Sequence, residues 1–293
     1  MAGTASVTTP DGRTLAIHLA GDPGGRAVVV HHGTPGAGPL YRRHAEAAAA
    51  RGLRLIGYDR PGYGGSDRHR GRAVADAAGD VAAILDALGV ERFATWGASG
   101  GGPHALACAA LLGERCAVAV TVAGVAPFSA EGLDWSAGMG EDNVAEFAAA
   151  VAGEAVLGDF LAAHLPALRE IRGADLVGAM RSLLSEVDAQ ALTDTLGDHL
   201  AAQFRLGLAP GPGGWIDDDL AFVADWGFPL DAVAAPVQIW QGPHDLMVPE
   251  AHGRWLGAHV PGADLRLAPQ DGHVSLLETR MPAILDAIAR YTF

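Results

Sequence analysis

Apolar positions along the chain fall into two kinds of run that alternate. Short, continuous runs at 27–32, 53–58, 117–122 and 236–241, the approach from Phe93 to Gly97, and a last one at 263–267 have the length and composition of β-strands. Between them, apolar residues recur every three or four positions, as on one face of a helix, at 41–51, 74–88, 104–112, 250–259 and 274–291. In the second of these the stripe is Val74, Ala77, Val81, Ile84, Leu85 and Leu88, with Gly89 placed to end it. Two short runs, 5–9 and 14–19, flank the turn signature Pro10-Asp11-Gly12 and predict an opening β-hairpin. Strands that are apolar without alternation are buried on both faces, so strands alternating with helices predict an α/β fold, a parallel sheet covered on both sides.

The pattern changes after Val125. From 126 to 235 no convincing strand occurs, but helical stripes do: Val144, Phe147 and Val151; Leu157, Phe160, Leu161 and Leu165; Leu192, Leu196, Leu200 and Phe204. A glycine- and proline-rich break at 209–214 follows, and Asp217-Asp218-Asp219 is placed to start a further helix through Trp226. The expected organisation is a core domain of residues 1–125 and 236–293 with a helical cap, or lid, at 126–235.

Composition narrows the function. The 293 residues are 49% hydrophobic, enough for a large core, and the net charge of −14 repels phosphate backbones and anionic lipid. Nucleic acid and membrane are therefore not expected partners; a small-molecule substrate is. The N-terminal stretch has neither a basic start nor an apolar core, no run of about 18 apolar residues appears, and the expected location is cytoplasmic. Cys108 and Cys116 imply two buried free thiols rather than a disulfide framework.

Candidate chemistry follows from the parallel sheet, because such sheets bind ligands beyond the carboxyl ends of their strands. The polar residues there are His31 and His32, Asp59 and Arg60, Ser99, Asp245 and His273. Ser99 lies in Gly97-Ala98-Ser99-Gly100-Gly101, between an apolar strand and a helix, the pattern of a nucleophile at a tight turn. A serine hydroxyl needs a base, for which His273 has the titration range, and the imidazole needs a carboxylate to hold its tautomer. Asp245 can supply it; Glu131 or Asp134 is the competing acid, and Asp271 reads as a turn former. Serine chemistry also needs oxyanion donors, and the backbone N–H groups of Gly100 and Thr34 are the candidates. Met247, Val248 and Val274 are expected to line an apolar substrate pocket. No glycine loop here makes a phosphate or dinucleotide cradle, and the histidines have no metal-ligand spacing.

Five loops carry a resemblance to the α/β-hydrolase family over nearly the whole chain: His32-Gly33-Thr34-Pro35-Gly36, Asp59-Arg60-Pro61-Gly62-Tyr63-Gly64-Gly65-Ser66, Gly97-Ala98-Ser99-Gly100-Gly101, Gly242-Pro243-His244-Asp245, and Gly272-His273 with Glu278. The resemblance implies a mostly parallel eight-stranded sheet, a helical cap inserted after the sixth strand, no cofactor or metal, and hydrolysis through an acyl-enzyme. Serine stands where dehalogenases and epoxide hydrolases of this fold carry aspartate. The expectation is a serine hydrolase of small or medium carboxylic esters. Proline iminopeptidase-like or carbon–carbon bond hydrolysis is an alternative, as is a ligand-binding or signalling protein that retains the triad with little turnover. Glu141-Asp142 and Asp217-Asp218-Asp219 are the acids that an aminopeptidase could use for a free amine.

Overall fold

The computed structural model describes residues 3–293; Met1 and Ala2, part of the N-terminal stretch read above, lie outside it. The predicted hairpin is β1 (Gly3–Thr8) and β2 (Thr14–Gly21), paired antiparallel. It leads to β3 (Arg26–His31), α1 (Arg42–Ala49), β4 (Leu53–Tyr58), α2 (Asp76–Ala87), β5 (Phe93–Ala98), α3 (Gly101–Leu111) and β6 (Cys116–Val122). A helical insertion follows: α4 (Glu141–Ala152), α5 (Glu154–Glu170), α6 (Leu176–Ala179), α7 (Glu186–Ala191), α8 (Asp194–Gly207) and α9 (Gly213–Val223). The chain then returns to β7 (Val237–Gln241), α10 (Glu250–His259), β8 (Asp264–Leu267) and α11 (His273–Ala289). The strands form one eight-stranded sheet in the order β1-β2-β4-β3-β5-β6-β7-β8. Only β2 runs antiparallel to its neighbours β1 and β4, and the other pairs are parallel.

Side-chain alternation along each strand divides the apolar runs between two cores. Val28, Val30, Trp96, Val118, Val120 and Val122 face one side, where α11 contributes Leu276, Met281, Ile284 and Ile288. Val29, Ile56, Phe93, Ala119 and Ile239 face the other, with Val81, Ile84 and Leu85 of α2 and Leu106 of α3. That is why these strands read as continuously apolar. The insertion has a core of its own, in which Leu157 and Leu161 of α5 pack with Trp215 and Ile216 of α9 and Tyr63 from the loop after β4. Among the described residues no helix is long and apolar enough to cross a membrane. Both cysteines are free and buried.

Two details of the insertion differ from the pattern. Val144 and Val151 face outward on α4, 41% and 58% exposed, while Ala149 and Ala150 fill the inner face with Phe147 half-buried. Asp217, Asp218 and Asp219 do not start a helix. Gly213 does, directly after Pro212, so the three acids sit in the second turn of α9 and are buried. Arginines from the core meet two of them, which is what makes burial of the charge tolerable.

Close approach of α3 to the sheet depends on glycine. A methyl group at Gly97 would stand 2.0 Å from the Gly101 carbonyl oxygen, and one at Gly101 would stand 2.3 Å from that of His31. Both contacts are with backbone, which cannot step aside as a side-chain tip could. Gly97→Ala is expected to cost about 3 kcal/mol, read as a lowered urea midpoint at unchanged m-value.

Candidate active site

Ser99 follows β5 immediately and holds a left-handed backbone with φ of 53°, which a non-glycine residue adopts only when its surroundings enforce it. They do so by hydrogen bonds on both sides. Its N–H donates to the Val122 carbonyl at 2.9 Å, and its carbonyl accepts from Gly102 N–H at 2.8 Å. The turn lifts the side chain out of the sheet, while Gly100 and Gly101 lead into α3. A methyl group at Gly33 would lie 3.6 Å from Ser99 Cβ, and one at Gly100 would lie 2.3 Å from Thr34 Oγ1. The loop after β3 is thus packed against the serine turn, with Thr34 beside Gly100.

Asp245 lies in the loop after β7, where its Oδ1 accepts the backbone N–H groups of Met247 and Val248, each at 2.8 Å. Its Oδ2 accepts from Gln241 Nε2 at 3.2 Å and from His273 Nδ1 at 2.8 Å. A carboxylate facing Nδ1 places the ring proton there and leaves Nε2 as the basic nitrogen. Glu131, Asp134 and Asp271 do not contact this imidazole; Asp271 pairs with Arg280 at 2.6 Å. Burial favours the uncharged ring of His273, but the carboxylates of Asp245 and then Asp188 outweigh it, so its pKa lies above the usual value.

One cavity of about 340 Å³ is lined by Ser99, His273, Thr34, Met247 and Val274. Most of its remaining wall is apolar, including Trp96 from the sheet and Leu196, Leu200 and Phe204 from α8. Val248 does not line it. The Val248 side chain is buried elsewhere, and only its N–H serves the site, through Asp245.

The Thr34 loop is braced by charges that the sequence pattern did not assign. Arg60 donates from its guanidinium to the carbonyls of His32 and Gly33, to Thr34 Oγ1 at 2.9 Å, and to Asp218 Oδ2 at 2.6 Å. Thr34 Oγ1 donates in turn to Asp218 Oδ2 at 2.7 Å, Tyr63 Oη donates to the same oxygen at 2.9 Å, and Arg72 meets Oδ1 at 2.7 Å. Against the cost of burial, Arg60 and Arg72 hold the Asp218 carboxyl well below the usual carboxylate range. His32 is neutral here: burial, then Arg60, depress its pKa to about 3, and its Nε2 accepts from Arg60 N–H while Nδ1–H donates to Gly33 O. Asp59 spans the two glycine loops, accepting from Gly38 N–H at 2.7 Å and Gly65 N–H at 2.9 Å.

The rest of the acidic triplet is also committed. Asp217 pairs with Arg68 at 2.8 Å. Burial, and then the facing Glu146 carboxyl, push the Asp219 carboxyl well above its ordinary value. Glu146 lines the cavity and accepts from Trp215 Nε1 at 2.7 Å.

Comparison with known proteins agrees with the fold. The family model described as the alpha/beta hydrolase fold matches residues 26–279. The chain belongs to that family. It is 33% identical to epoxide hydrolase B of Mycobacterium tuberculosis over 115 residues, covering 38% of this chain and 32% of that one. It is 34% identical to a non-heme chloroperoxidase of Streptomyces lividans over 149 residues, 50% of this chain and 54% of that one. The matches thus span from a third to about half of these relatives. A bromoperoxidase structure from Bacillus anthracis superposes with a TM-score of 0.72 at 20% identity, over 97% of this chain and 98% of that one, a likeness of fold.

The buried charge network yields a test. Asp218→Asn leaves Arg60 and Arg72 without their counter-charge and is expected to cost about 3–5 kcal/mol, measured by chemical denaturation.

Proposed function

We propose that the protein is a serine hydrolase that cleaves small or medium carboxylic esters through an acyl-enzyme. The observation that carries this reading is the meeting of Ser99, the Asp245–His273 pair and Thr34 at one largely apolar cavity. Ser99 Oγ attacks the ester carbonyl and its proton passes to His273 Nε2. Asp245 keeps the imidazole oriented and stabilises the imidazolium that forms. The developing oxyanion takes the N–H groups of Thr34 and Gly100. His273 then returns the proton to the leaving alcohol, and water repeats the cycle on the acyl group. Residues 126–235 act as the cap, since α8 supplies much of the cavity wall and so of the selectivity. The substrate is a small molecule, and the chemistry needs no cofactor.

Serine at the nucleophile position supports ester rather than epoxide chemistry. An amine-bearing substrate is less well served. Of the acids that could meet an ammonium group, Asp217 and Asp218 are bound to arginines and Asp219 is fully buried outside the cavity lining, which leaves Asp142 and Glu146 at the cavity.

Ser99→Ala is expected to reduce turnover of p-nitrophenyl butyrate by roughly a thousandfold or more, and a fluorophosphonate should add its mass at Ser99 alone. Retained turnover in the variant defeats the mechanism, and faster cleavage of prolyl-2-naphthylamide than of the ester moves the substrate class. The base must be neutral to accept a proton, and its pKa is raised. Hence kcat/KM should fall as pH falls, with half-maximal activity above pH 6.5.

A further inference from the structure

Asp188 has no exposed surface, lies 85 residues from His273 in sequence, and belongs to the helical insertion rather than to the sheet. Its carboxylate closes on the first turn of α11, the helix that begins with His273. Oδ2 accepts the His273 N–H at 2.9 Å, and Oδ1 accepts the N–H groups of Val274 and Ser275 at 2.9 and 2.8 Å and the Ser275 hydroxyl at 2.8 Å. A fifth bond comes from Ser185 Oγ on its own element, at 2.9 Å. No arginine or lysine pairs with it. The buried charge is met instead by the unsatisfied N–H groups and positive dipole end of α11. Gly272 makes the approach possible, because a methyl group there would stand 2.3 Å from the carboxylate.

The helix start itself offers nothing equivalent. Gly272, at the capping position, has no side-chain acceptor, and the Ser275 hydroxyl, which bonds Gly272 N–H at 2.7 Å, spends its proton on Asp188. The backbone that aims the His273 ring is therefore fixed from outside the core. We propose that Asp188 is a positioning residue: by capping the His273 helix from the insertion, it ties seating of the insertion to a correctly aimed base. Loss of the seat frees the N–H groups of residues 273–275 and removes the second of the two carboxylates beside the imidazole. The consequence is a pH effect as well as a geometric one. His273 is faced by Asp245 from the loop after β7 and by Asp188 from α7; the other titratable groups at the cavity are His31, His32, Tyr41, His44, Asp142, Glu146, His164 and His199.

This inference rests on the serine-hydrolase reading for its effect on rate, and one of its two readouts does not. The readouts are the rate of Ser99 labelling by a fluorophosphonate and the His273 titration midpoint, followed by NMR of the imidazole Cε1–H and assigned with His273→Gln. Asp188→Asn keeps the volume and removes the charge. It is expected to slow labelling about tenfold and to lower the His273 midpoint by roughly half a pH unit. Asp188→Glu, which restores the charge, should return the midpoint toward that of the unaltered protein. A folded Asp188→Asn protein that labels at full rate, or labels slowly with an unmoved midpoint, overturns the proposal. Should Asp188→Asn not fold, Gly272→Ala displaces the carboxylate and must lower both quantities, and an unchanged midpoint there overturns it equally. An unaltered protein that does not label, but whose His273 midpoint follows Asp188, supports the clamp and refutes the hydrolase reading.

Discussion

A carboxylate removed from water has to be answered by charge or by N–H groups, and the packing of the helical insertion on the sheet is organised around two such answers. Asp218 carries Arg60 and Arg72, and through Arg60 it fixes the carbonyls of His32 and Gly33 that hold the Thr34 loop. Asp188 carries the start of the His273 helix. Both acids come from the insertion, and both act on backbone that borders the cavity. Apolar packing presses the layers together without direction; these bonds set where the insertion must sit. Thr34, one of the two proposed oxyanion donors, and the proposed base His273 are therefore both held in place from the insertion.

Legibility in the sequence divides along the same line. The sheet, the hairpin and the covering helices were readable because each depends on local periodicity. The placing of Ser99, Asp245 and His273 at one end of the sheet was readable because each follows a strand. Asp188 gave no signal. It is an unremarkable acid in a six-residue helix, and its partner lies 85 positions away. Asp217-Asp218-Asp219 gave a misleading one, since acids before an apolar run suit a helix start, whereas here arginines from the loop after β4 draw them into the interior. Arg60 was seen at a strand end, yet nothing local tells whether such an arginine faces solvent or bridges two loops. Val248 shows the limit in the other direction: the residue is at the site, but through its N–H rather than its side chain.

The electrostatics of the cavity are more settled than the net charge of −14 suggests. Asp217 and Asp218 are neutralised by ion pairs, burial and Glu146 push the Asp219 carboxyl upward, and His32 stays neutral at a pKa of about 3. His44 and His199, which border the cavity from α1 and α8, are likewise depressed by burial to about 4. What is left is His273, raised by its carboxylates, with His164, Asp142 and Glu146 also on an otherwise largely apolar wall.

Selectivity has a different origin from reactivity in this arrangement. The groups proposed for the chemistry are held at strand ends by short loops. To the cavity wall, α5 and α8 contribute apolar residues that include Phe160, Leu168, Leu200 and Phe204. A scaffold that fixes reactive groups on the sheet and assigns the contact surface to an insertion can change substrate without moving the nucleophile. The insertion nevertheless cannot vary freely. Positions 188 and 218 must still supply carboxylates, because what they hold in place is not the substrate but the backbone of the site itself.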